Sequence, residues 1–426
     1  MLSWGVYMSG CSTRKNELFC AVGKHSRNRG NSSIANALVI LFALFAVSSL
    51  TQGLLGSLPL NKAIGLSIVV VLAYWFISSA LTHARVIGCV LVGFVGLSSM
   101  LYGVDIGQDF SDYSYFIATV LMLLYASDRG NRRVLLESFA RYAGFLRLVA
   151  LALSLLLGGL LILGVGYETS WGGERYFRGF ANNEHALASS CCLLMSIGLL
   201  YGRVKQHGVA TFFIMFVSTM AILATGARTY LFPLVIVLFV FVGDAAPRKW
   251  VRMSLTVLML VAFVGLILGS SMADKFQFAI GNEFADSLLS AFTNGRNEIW
   301  ANDIDLFLGH SFQQVIFGGS FSEVYLANSQ ELSLYIWSHD DFIMLLCSAG
   351  IAGLLVYAVV LFGFLKNIAK NAPYLLTIAL VLYVLVPATL NGFYPYQHLV
   401  YAAVLFSVCI TSSASCGKGE SHDICK

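Results

Sequence analysis

The sequence predicts an all-α fold, a polytopic membrane helical bundle of about 12 transmembrane helices with a long outer loop of short amphipathic helices between helices 9 and 10. Three observations support this fold. The 426 residues are 58% hydrophobic and only 11% charged, whereas about a quarter of the residues in soluble domains are charged. Apolar runs of about 15 to 25 residues recur along the whole chain, which suits helices that cross a bilayer. The connections between these runs alternate between mainly basic and mainly acidic.

Residues 1–33 are predicted to form a basic cytoplasmic tail. The basic residues of this stretch follow a short mixed segment, and no small-residue cleavage pattern precedes them, so a cleavable signal peptide is not expected. They are Arg14, Lys15, Lys24, Arg27 and Arg29.

The rest of the chain divides around one long loop. Residues 34–270 are predicted to contain helices 1–9, residues 271–341 to form a periplasmic loop, residues 342–413 to contain helices 10–12, and residues 414–426 to form a second cytoplasmic tail. Two of the apolar segments, 113–127 and 229–243, are short for a crossing. The twelve segments are 34–52, 63–82, 86–102, 113–127, 142–165, 184–201, 209–225, 229–243, 253–270, 342–365, 374–390 and 397–413.

The charge distribution predicts the orientation of the bundle. With a cytoplasmic N-terminus and twelve crossings, most of the 26 Lys and Arg residues lie inside, while 16 of the 22 acidic residues lie outside. This positive-inside bias favours an even number of crossings, with both termini in the cytoplasm. The basic residues left outside are Lys62, Arg175, Arg178, Arg228, Lys275 and Arg296.

Two outer segments, 166–183 and 271–341, are longer than a simple turn, and long loops often carry function. Within the second, the apolar side chains of residues 299–308 are predicted to lie on one helical face, opposite Asn302, Asp303 and Asp305. This amphipathic helix is expected either to lie on the outer membrane surface or to pack over the bundle. The apolar face consists of Ile299, Trp300, Ile304, Phe307 and Leu308.

Four outer arginines are candidate phosphate-binding residues, because a guanidinium group stays charged and binds phosphate oxygens bidentately. Arg175 and Arg178 precede the helix that begins near Glu184; the alternatives are interfacial anchoring or pairing with Glu168 or Glu174. Arg228 lies in a tight turn between two apolar runs, where its charge needs a phosphate partner or access to water. Arg296 begins the amphipathic helix, and pairing with Glu298 or another acidic neighbour is its alternative.

His339, Asp340 and Asp341 are the candidate catalytic residues. A histidine beside carboxylates can take a proton from a hydroxyl group, but a histidine at a helix entrance is also often only a cap or hydrogen-bond donor. Asp340 and Asp341 are expected to orient His339, to act as the base themselves, or merely to cap the helix.

No cofactor is predicted. The sequence contains no Walker-type phosphate loop and no His-Glu zinc motif, so it does not support ATP hydrolysis or zinc chemistry. Asp303-Ile304-Asp305 is similar to the metal-binding carboxylate pair of nucleotide-sugar transferases, but it lies outside, away from cytoplasmic nucleotides, and is interpreted as the wet face of the surface helix. The nine cysteines fall in inner tails or apolar segments, which argues against a structural disulfide or a cysteine metal site.

An ordered set of motifs over residues of about 166–360 resembles the O-antigen ligase and O-antigen (polysaccharide) polymerase superfamily. At Glu184-His185 this chain departs from the Pro-Asn that the family often has. The motifs are Arg178-Gly179 before Asn182-Asn183, Thr225-Gly226-Ala227-Arg228, Gly295-Arg296 with Trp300, Gly318-Gly319, and His339-Asp340-Asp341-Phe342 followed by Gly350-Ile351-Ala352-Gly353.

This resemblance implies an inverting, metal-independent membrane glycosyltransferase of the bacterial inner membrane, with a periplasmic active site and a role in lipopolysaccharide or other polysaccharide biosynthesis. The donor would be an undecaprenyl-diphosphate-linked glycan, whose diphosphate Arg178, Arg228 and Arg296 would hold and neutralise as it leaves. His339 would accept the proton of the acceptor hydroxyl, with Asp340 or Asp341 orienting it. The lipid bilayer, a chain-length regulator and a flippase are the implied partners, and no nucleic acid is expected.

The acceptor would be either a second lipid-linked glycan, as in polymerases, or a lipid A-core sugar, as in ligases. The His339 motif is more similar to the His-x-Asp-Phe pattern of polymerases. A transporter or flippase for lipid-linked sugars is the alternative from another class. It is disfavoured because the apolar segments contain almost no charged residues away from their ends and no internal repeat is visible.

Overall fold

The computed structural model describes residues 29–54, 60–79, 82–169, 175–205, 208–245, 249–268 and 296–415. Most of the two predicted cytoplasmic tails and the first part of the predicted periplasmic loop, residues 271–295, lie outside the described residues.

The described residues are almost entirely helical, as predicted. Short 3₁₀ turns at Gln52–Leu54 and Arg228–Tyr230 separate some of the elements. The α-helices are α1 (Arg29–Leu50), α2 (Leu60–Ser78), α3 (His83–Tyr102), α4 (Ile106–Ser127), α5 (Arg129–Leu163), α6 (Glu184–Lys205), α7 (Val209–Ala224), α8 (Leu231–Ala245), α9 (Lys249–Leu268), α10 (Arg296–Leu308), α11 (Phe312–Phe317), α12 (Phe321–Leu332), α13 (Asp341–Ala369), α14 (Tyr374–Leu390) and α15 (Gln397–Ser415).

Each of the twelve predicted apolar segments coincides with one helix, α1–α9 and α13–α15. Within the described residues, seven helices are long and apolar enough to cross a membrane, and α7, α14 and α15 are shorter apolar helices. A membrane bundle is therefore supported, while twelve crossings stay a prediction. Helices α4 and α5 begin several residues before the apolar runs that predicted them, because a polar residue caps each start. Asp105 caps α4 by accepting hydrogen bonds from the backbone N–H of Gly107 and Gln108, and Asp128 caps α5.

The sequence did not predict a small antiparallel hairpin in the outer loop before α6. Strands β1 (Tyr167–Thr169) and β2 (Arg175–Phe177) pair in this hairpin. Gly166 adopts φ +84°, and its carbonyl oxygen accepts hydrogen bonds from the N–H of Arg178 at 2.9 Å and of Gly179 at 3.1 Å. Strands of three residues are too short to produce a recognisable alternation of apolar and polar side chains.

Helices α6 and α15 form the centre of the bundle and pack against each other. Nearly every side chain of α6 from Leu187 to Leu200 is buried, and so is every side chain of α15 from Gln397 to Ile410. A helix that is buried on all sides carries no polar stripe, which explains why both segments are apolar around their whole circumference.

The connections predicted to be outside contact one another at one end of the bundle, which we call the loop end. The N–H of Gly53 donates to the carbonyl oxygen of Phe180 at 2.7 Å, and the N–H of Val104 donates to the Ser322 hydroxyl at 3.0 Å. At the opposite end, Arg203 pairs with Asp244 and donates to the carbonyl oxygen of Cys409. In these contacts, connections that were predicted to lie on the same side of the membrane are neighbours in the structure.

Helix α10 packs against α12 and α13, as expected of a helix packed over the bundle. The predicted faces were wrong in detail. Asp303, expected on the wet face, is 0% exposed, while Ile304 is 44% and Leu308 is 73% exposed. Asp303 lies inside because Asn328 of α12 donates to its Oδ1 at 3.0 Å, and a buried polar group is tolerated when it is hydrogen-bonded.

Helix α13 is broken at Gly350, which adopts φ +65°. The chain after α11 enters this break: the N–H of Gly319 donates to the carbonyl oxygen of Cys347 at 3.1 Å, and a Cβ on Gly318 would overlap the backbone of Ser348. The glycines at 318 and 350 are therefore required by a close approach of two backbones.

The start of α13 is tied to the loop before α15 by the buried carboxylate of Asp341. This carboxylate accepts hydrogen bonds from the Tyr357 hydroxyl at 2.6 Å, from the N–H of Phe393 at 3.0 Å and from the N–H of Tyr394 at 3.1 Å. The loop from Asn391 is thereby held beside the entrance of α13.

We expect the Asp341→Ala substitution to lower the free energy of unfolding by about 3 kcal/mol, because it leaves three buried donors without an acceptor. Thermal denaturation of the purified protein in detergent measures this loss. Asp305→Ala, on the exposed face of α10, is the matched control and should leave the midpoint unchanged; equal midpoints for the two variants would contradict the structural role of Asp341.

We expect Gly350→Ala to destabilise the protein by about 1 to 3 kcal/mol, since alanine is strained at positive φ and its Cβ would overlap the backbone of Ile316 and Gly318. Gly363→Ala in the same helix has open space around the new methyl group and serves as the control. The same denaturation assay compares them, and a Gly350→Ala protein as stable as Gly363→Ala would show that the break is not needed.

Candidate functional site

His339 follows residues 334–338, which form neither helix nor strand, and immediately precedes the cap of α13. Its backbone φ is +55°, a left-handed conformation that is uncommon for residues other than glycine. Such strain persists only where the surrounding structure holds it. The imidazole ring lies 4.9 Å from the ring of Trp337, and Asn391 accepts hydrogen bonds from it.

Two side chains donate hydrogen bonds to the backbone of residues 334–338. Asn328 donates to the carbonyl oxygen of Ile336 at 3.1 Å, and the indole N–H of Trp300 donates to the carbonyl oxygen of Ser338 at 2.8 Å. Because Asn328 is itself bound to the buried Asp303, helices α10 and α12 together fix the backbone that carries His339.

Arg296 is the first residue of α10, and most of its surface is buried. Its Nη2 lies 3.4 Å from the Asn391 Oδ1. Burial and, to a smaller extent, the charge of Arg228 lower the pKa of Arg296 to about 10, while Tyr396 and Tyr230 oppose the shift. Among the residues that the structure describes, no carboxylate forms an ion pair with Arg296, so the predicted pairing with Glu298 is not present.

Arg228 follows a turn that its own sequence determines. The Thr225 hydroxyl donates to the carbonyl oxygen of Ile222 at 2.6 Å and accepts the N–H of Ala227 at 3.1 Å. Gly226 adopts φ +64°, which allows the chain to reverse before the 3₁₀ turn. Arg228 then lies within electrostatic range of Tyr176 on strand β2 and of Arg296.

Asn391 connects these groups, and sequence reasoning missed it. It is fully buried at the end of α14, where its Oδ1 faces Arg296 and its Nδ2 lies 3.4 Å from the Tyr230 hydroxyl. It also interacts with His339 and Tyr396. The only signal in the sequence is the Asn391-Gly392 pair after an apolar run, which indicates a turn and nothing more.

A second histidine lies near Tyr230 and Tyr396. The ring of His185, in the first turn of α6, is 6.0 Å from the ring of Tyr230 and 6.0 Å from the ring of Tyr396. Tyr396 is 6.2 Å from Trp337, so aromatic rings connect His185 to the segment before His339. The sequence marked His185 only as a departure from the family pattern.

The ionisation of His339 follows from its surroundings. Burial and the neighbouring charge of Arg296 lower its pKa to about 3, against hydrogen bonds to Asn391 that raise it. The imidazole is therefore neutral at physiological pH. Its Nδ1 atom is buried without a hydrogen-bond partner among the described residues.

Asp340 and Asp341 do not orient His339. Asp340 caps α13, with its Oδ1 accepting the N–H of Phe342 at 2.8 Å and of Ile343 at 2.9 Å. Burial raises the pKa of Asp340 to about 6, although these hydrogen bonds lower it. Asp341 accepts its donors from α13 and from the loop before α15, as described above. The orienting contact comes instead from Asn391, because neither carboxylate is hydrogen-bonded to His339 in the described part of the chain.

Arg178 and Arg175 lie on the hairpin. Arg178 pairs with Glu168 and donates to the carbonyl oxygen of Asn182 at 3.2 Å. The pairing with Glu168, which the sequence left as an alternative, is therefore present. Arg175 is exposed and lies 6.0 Å from the centre of the Tyr167 ring. A donor-binding role for either residue stays a prediction.

The structure thus brings together three of the predicted residues, Arg228, Arg296 and His339, from three separate connections. Asn391 lies among them. Within the described ranges, no group of three or more His, Cys, Asp or Glu residues could hold a metal ion. The arrangement can bind an anion with two guanidinium groups and accept a proton on a neutral imidazole.

The chain matches no protein-family model and no curated protein sequence. The resemblance of its motifs to the O-antigen ligase and polymerase superfamily therefore stays a prediction.

Proposed function

We propose that this protein is a membrane glycosyltransferase that acts on an undecaprenyl-diphosphate-linked oligosaccharide at the periplasmic face of a bacterial inner membrane. Its proposed role is the polymerisation of a surface polysaccharide, with transfer of the glycan to lipid A-core by a ligase as the alternative. The observation that carries the proposal is the convergence of Arg228, Arg296 and His339 at the loop end of an apolar bundle.

The two arginines support binding of a diphosphate. Like charges within each other's field raise the free energy of the empty site, and burial of Arg296 adds a desolvation cost. A dianionic group would offset both contributions. Guanidinium groups bind phosphate oxygens in a bidentate manner, and their charge stabilises the negative charge that develops when a diphosphate leaves.

His339 supplies the complementary chemistry. In the proposed reaction the acceptor hydroxyl oxygen forms a bond to the anomeric carbon of the donor sugar, while the bond from that carbon to the diphosphate oxygen breaks. The electron pair leaves on the diphosphate, and the hydroxyl proton passes to the imidazole of His339. Attack opposite the leaving group inverts the anomeric centre.

The same geometry couples the base to the donor. Arg296 lowers the pKa of His339 in the empty site, and a bound diphosphate would offset the charge of Arg296. The pKa of His339 would then rise, so the histidine becomes a stronger base when the donor is in place. This coupling limits proton transfer to the loaded site.

A deletion strain discriminates between the branches of the proposal. Lipid A-core carrying a single repeat unit indicates a polymerase, while lipid-linked polymer together with bare core indicates a ligase. Lipid-linked glycan that accumulates on the cytoplasmic side would instead indicate a flippase and contradict the enzyme.

We expect Arg228→Ala and Arg296→Ala each to lower the transfer rate by about 100-fold, because each removes charge that stabilises the leaving diphosphate. Gel profiles of surface polysaccharide from strains carrying each variant as the sole copy measure the effect. Arg133→Ala, which removes an exposed arginine near the start of α5 and away from the loop end, is the control. Full-length polymer in the Arg296→Ala strain at normal protein level would refute the proposal.

We expect a pH dependence that separates the free site from the loaded one. With the pKa of His339 at about 3 in the free site, the imidazole stays neutral as the pH falls, and kcat/KM should remain level from about pH 8 to about pH 5. The acid limb of kcat should lie at higher pH, since bound diphosphate offsets Arg296.

Initial rates across this range, in the wild type and in Arg296→Gln, test the coupling. Loss of the arginine charge should move the acid limb of kcat/KM upward, toward the ordinary histidine value of about 6.5. Acid limbs that coincide near that value in both proteins would rule out the coupling.

A further inference from the structure

A pocket opens between α5, α6 and α7 at the end of the bundle opposite the loop end. Its volume is about 310 Å³, within the range of about 300 to 1,000 Å³ that is typical of small-ligand sites. The three helices pack against one another. The α6 residues that line the pocket, Tyr201 and Lys205, flank Arg203, which lies at this opposite end. The charge distribution of the sequence predicts that this end faces the cytoplasm.

Two basic side chains, Arg147 and Lys205, line the pocket. Arg147 of α5 donates to the Tyr201 hydroxyl at 3.1 Å, and its guanidinium group lies 5.6 Å from the centre of the Tyr201 ring. Lys205 belongs to the last turn of α6. In the described part of the chain, no carboxylate forms an ion pair with Arg147. Tyr201 therefore holds Arg147 at the pocket without neutralising its charge.

The start of α7 adds a further feature that favours an anion. Gly208 caps this helix without a side-chain hydrogen bond, and Gly208, Val209 and Ala210 all line the pocket. The first N–H groups of a helix have no intrahelical acceptor, and the helix dipole favours negative charge at this end. The pocket therefore combines two positive side chains with the positive end of a helix.

One polar atom in the wall of the pocket lacks a partner. Thr211, in the first turn of α7, is fully buried, and its hydroxyl oxygen has no hydrogen-bond partner among the described residues. Thr211 also lines the pocket. A buried hydroxyl group without a partner is costly, and an oxygen atom of a ligand in the pocket would remove that cost.

Apolar side chains adjoin the pocket along the helices. Phe212 and Phe216 of α7 follow Thr211 toward the loop end, and both are exposed. Leu148 of α5, next to Arg147, is exposed as well. In a membrane bundle, exposed apolar side chains face the acyl chains of the bilayer. A ligand of this pocket therefore meets positive charge at one end and an apolar surface along the helices.

We propose that this pocket binds the phosphate of an anionic phospholipid, whose acyl chains lie along the exposed apolar side chains of α5 and α7. Basic pockets between membrane helices are suited to anionic headgroups. Arg147 and Lys205 bind the phosphate oxygens, and the Thr211 hydroxyl donates to one of them. Inorganic phosphate would use the same positive groups but would gain nothing from the apolar surface.

This inference goes beyond the proposed transferase function, because it concerns the opposite end of the bundle and requires only that the helices span a membrane. The test is native mass spectrometry of the full chain after detergent exchange has removed bound lipid. Phosphatidylglycerol is titrated as the anionic lipid, phosphatidylcholine with the same acyl chains as the neutral lipid, and inorganic phosphate as the anion without chains.

We expect phosphatidylglycerol to bind about 10-fold more tightly than phosphatidylcholine, since only its headgroup carries a net negative charge. An equal concentration of inorganic phosphate should not displace it. Arg147→Gln should weaken the binding of phosphatidylglycerol by about 10-fold, because it removes a charge-assisted hydrogen bond to the phosphate. Arg141→Gln removes an exposed arginine of the same helix that does not line the pocket; it is the matched control and should retain the wild-type affinity.

A second variant separates binding from folding. Thr211→Val keeps the shape of the side chain and should weaken the binding of phosphatidylglycerol by about 5-fold. The thermal midpoint of the lipid-free protein should not fall, since the hydroxyl group has no partner to lose among the described residues.

Three results would overturn the inference. Equal affinities for the anionic and the neutral lipid would show that the pocket does not recognise the headgroup. Equal weakening by Arg147→Gln and Arg141→Gln would show that the arginines attract anionic lipid only through their general charge. Displacement of phosphatidylglycerol by an equal concentration of inorganic phosphate would show that the pocket binds a free anion and not a lipid.

Discussion

The loop end depends on one buried carboxylate. Asp341 begins α13, and its hydrogen bonds from Phe393 and Tyr394 hold the loop that starts at Asn391. Asn391 in turn contacts Arg296 and His339. Three connections that are distant in sequence therefore meet through a chain of polar contacts, each buried where an unpaired group would be costly. Asp341 thereby places Asn391 beside Arg296 and His339.

The electrostatics of the loop end divide it into two sides. On one side Arg296 is buried within electrostatic range of Arg228, and on the other side the carboxylates of Asp105, Asp109 and Asp112 act electrostatically on the Tyr335 hydroxyl. His339 lies next to Arg296 and Trp337, and burial together with the charge of Arg296 keeps it neutral.

The helices were predictable because lipid imposes strict demands on length and polarity, so each apolar segment marks a helix whatever its neighbours are. Arg228 could be found because a permanent charge next to an apolar run is costly, and Arg296 because it begins a predicted amphipathic helix, whose start favours an anion. The buried side of α10 was mispredicted, since Asp303 is polar and its place inside depends on Asn328, which is 25 residues away. Asn391 and His185 were missed because a single polar residue beside an apolar segment is common. Asn391 finds its partner only through the packing of α14 against the 3₁₀ turn.

The break in α13 also has a mechanical consequence. The backbone of Gly318 is seated inside the interrupted helix, and the hydrogen bond from Gly319 to Cys347 closes the contact. The helices of the outer loop, α10–α12, are thereby attached to α13 by a main-chain contact as well as by side-chain packing. Separating α10–α12 from the bundle would require α13 to lose a main-chain contact in its own interior. These helices and the bundle should therefore move as one rigid unit.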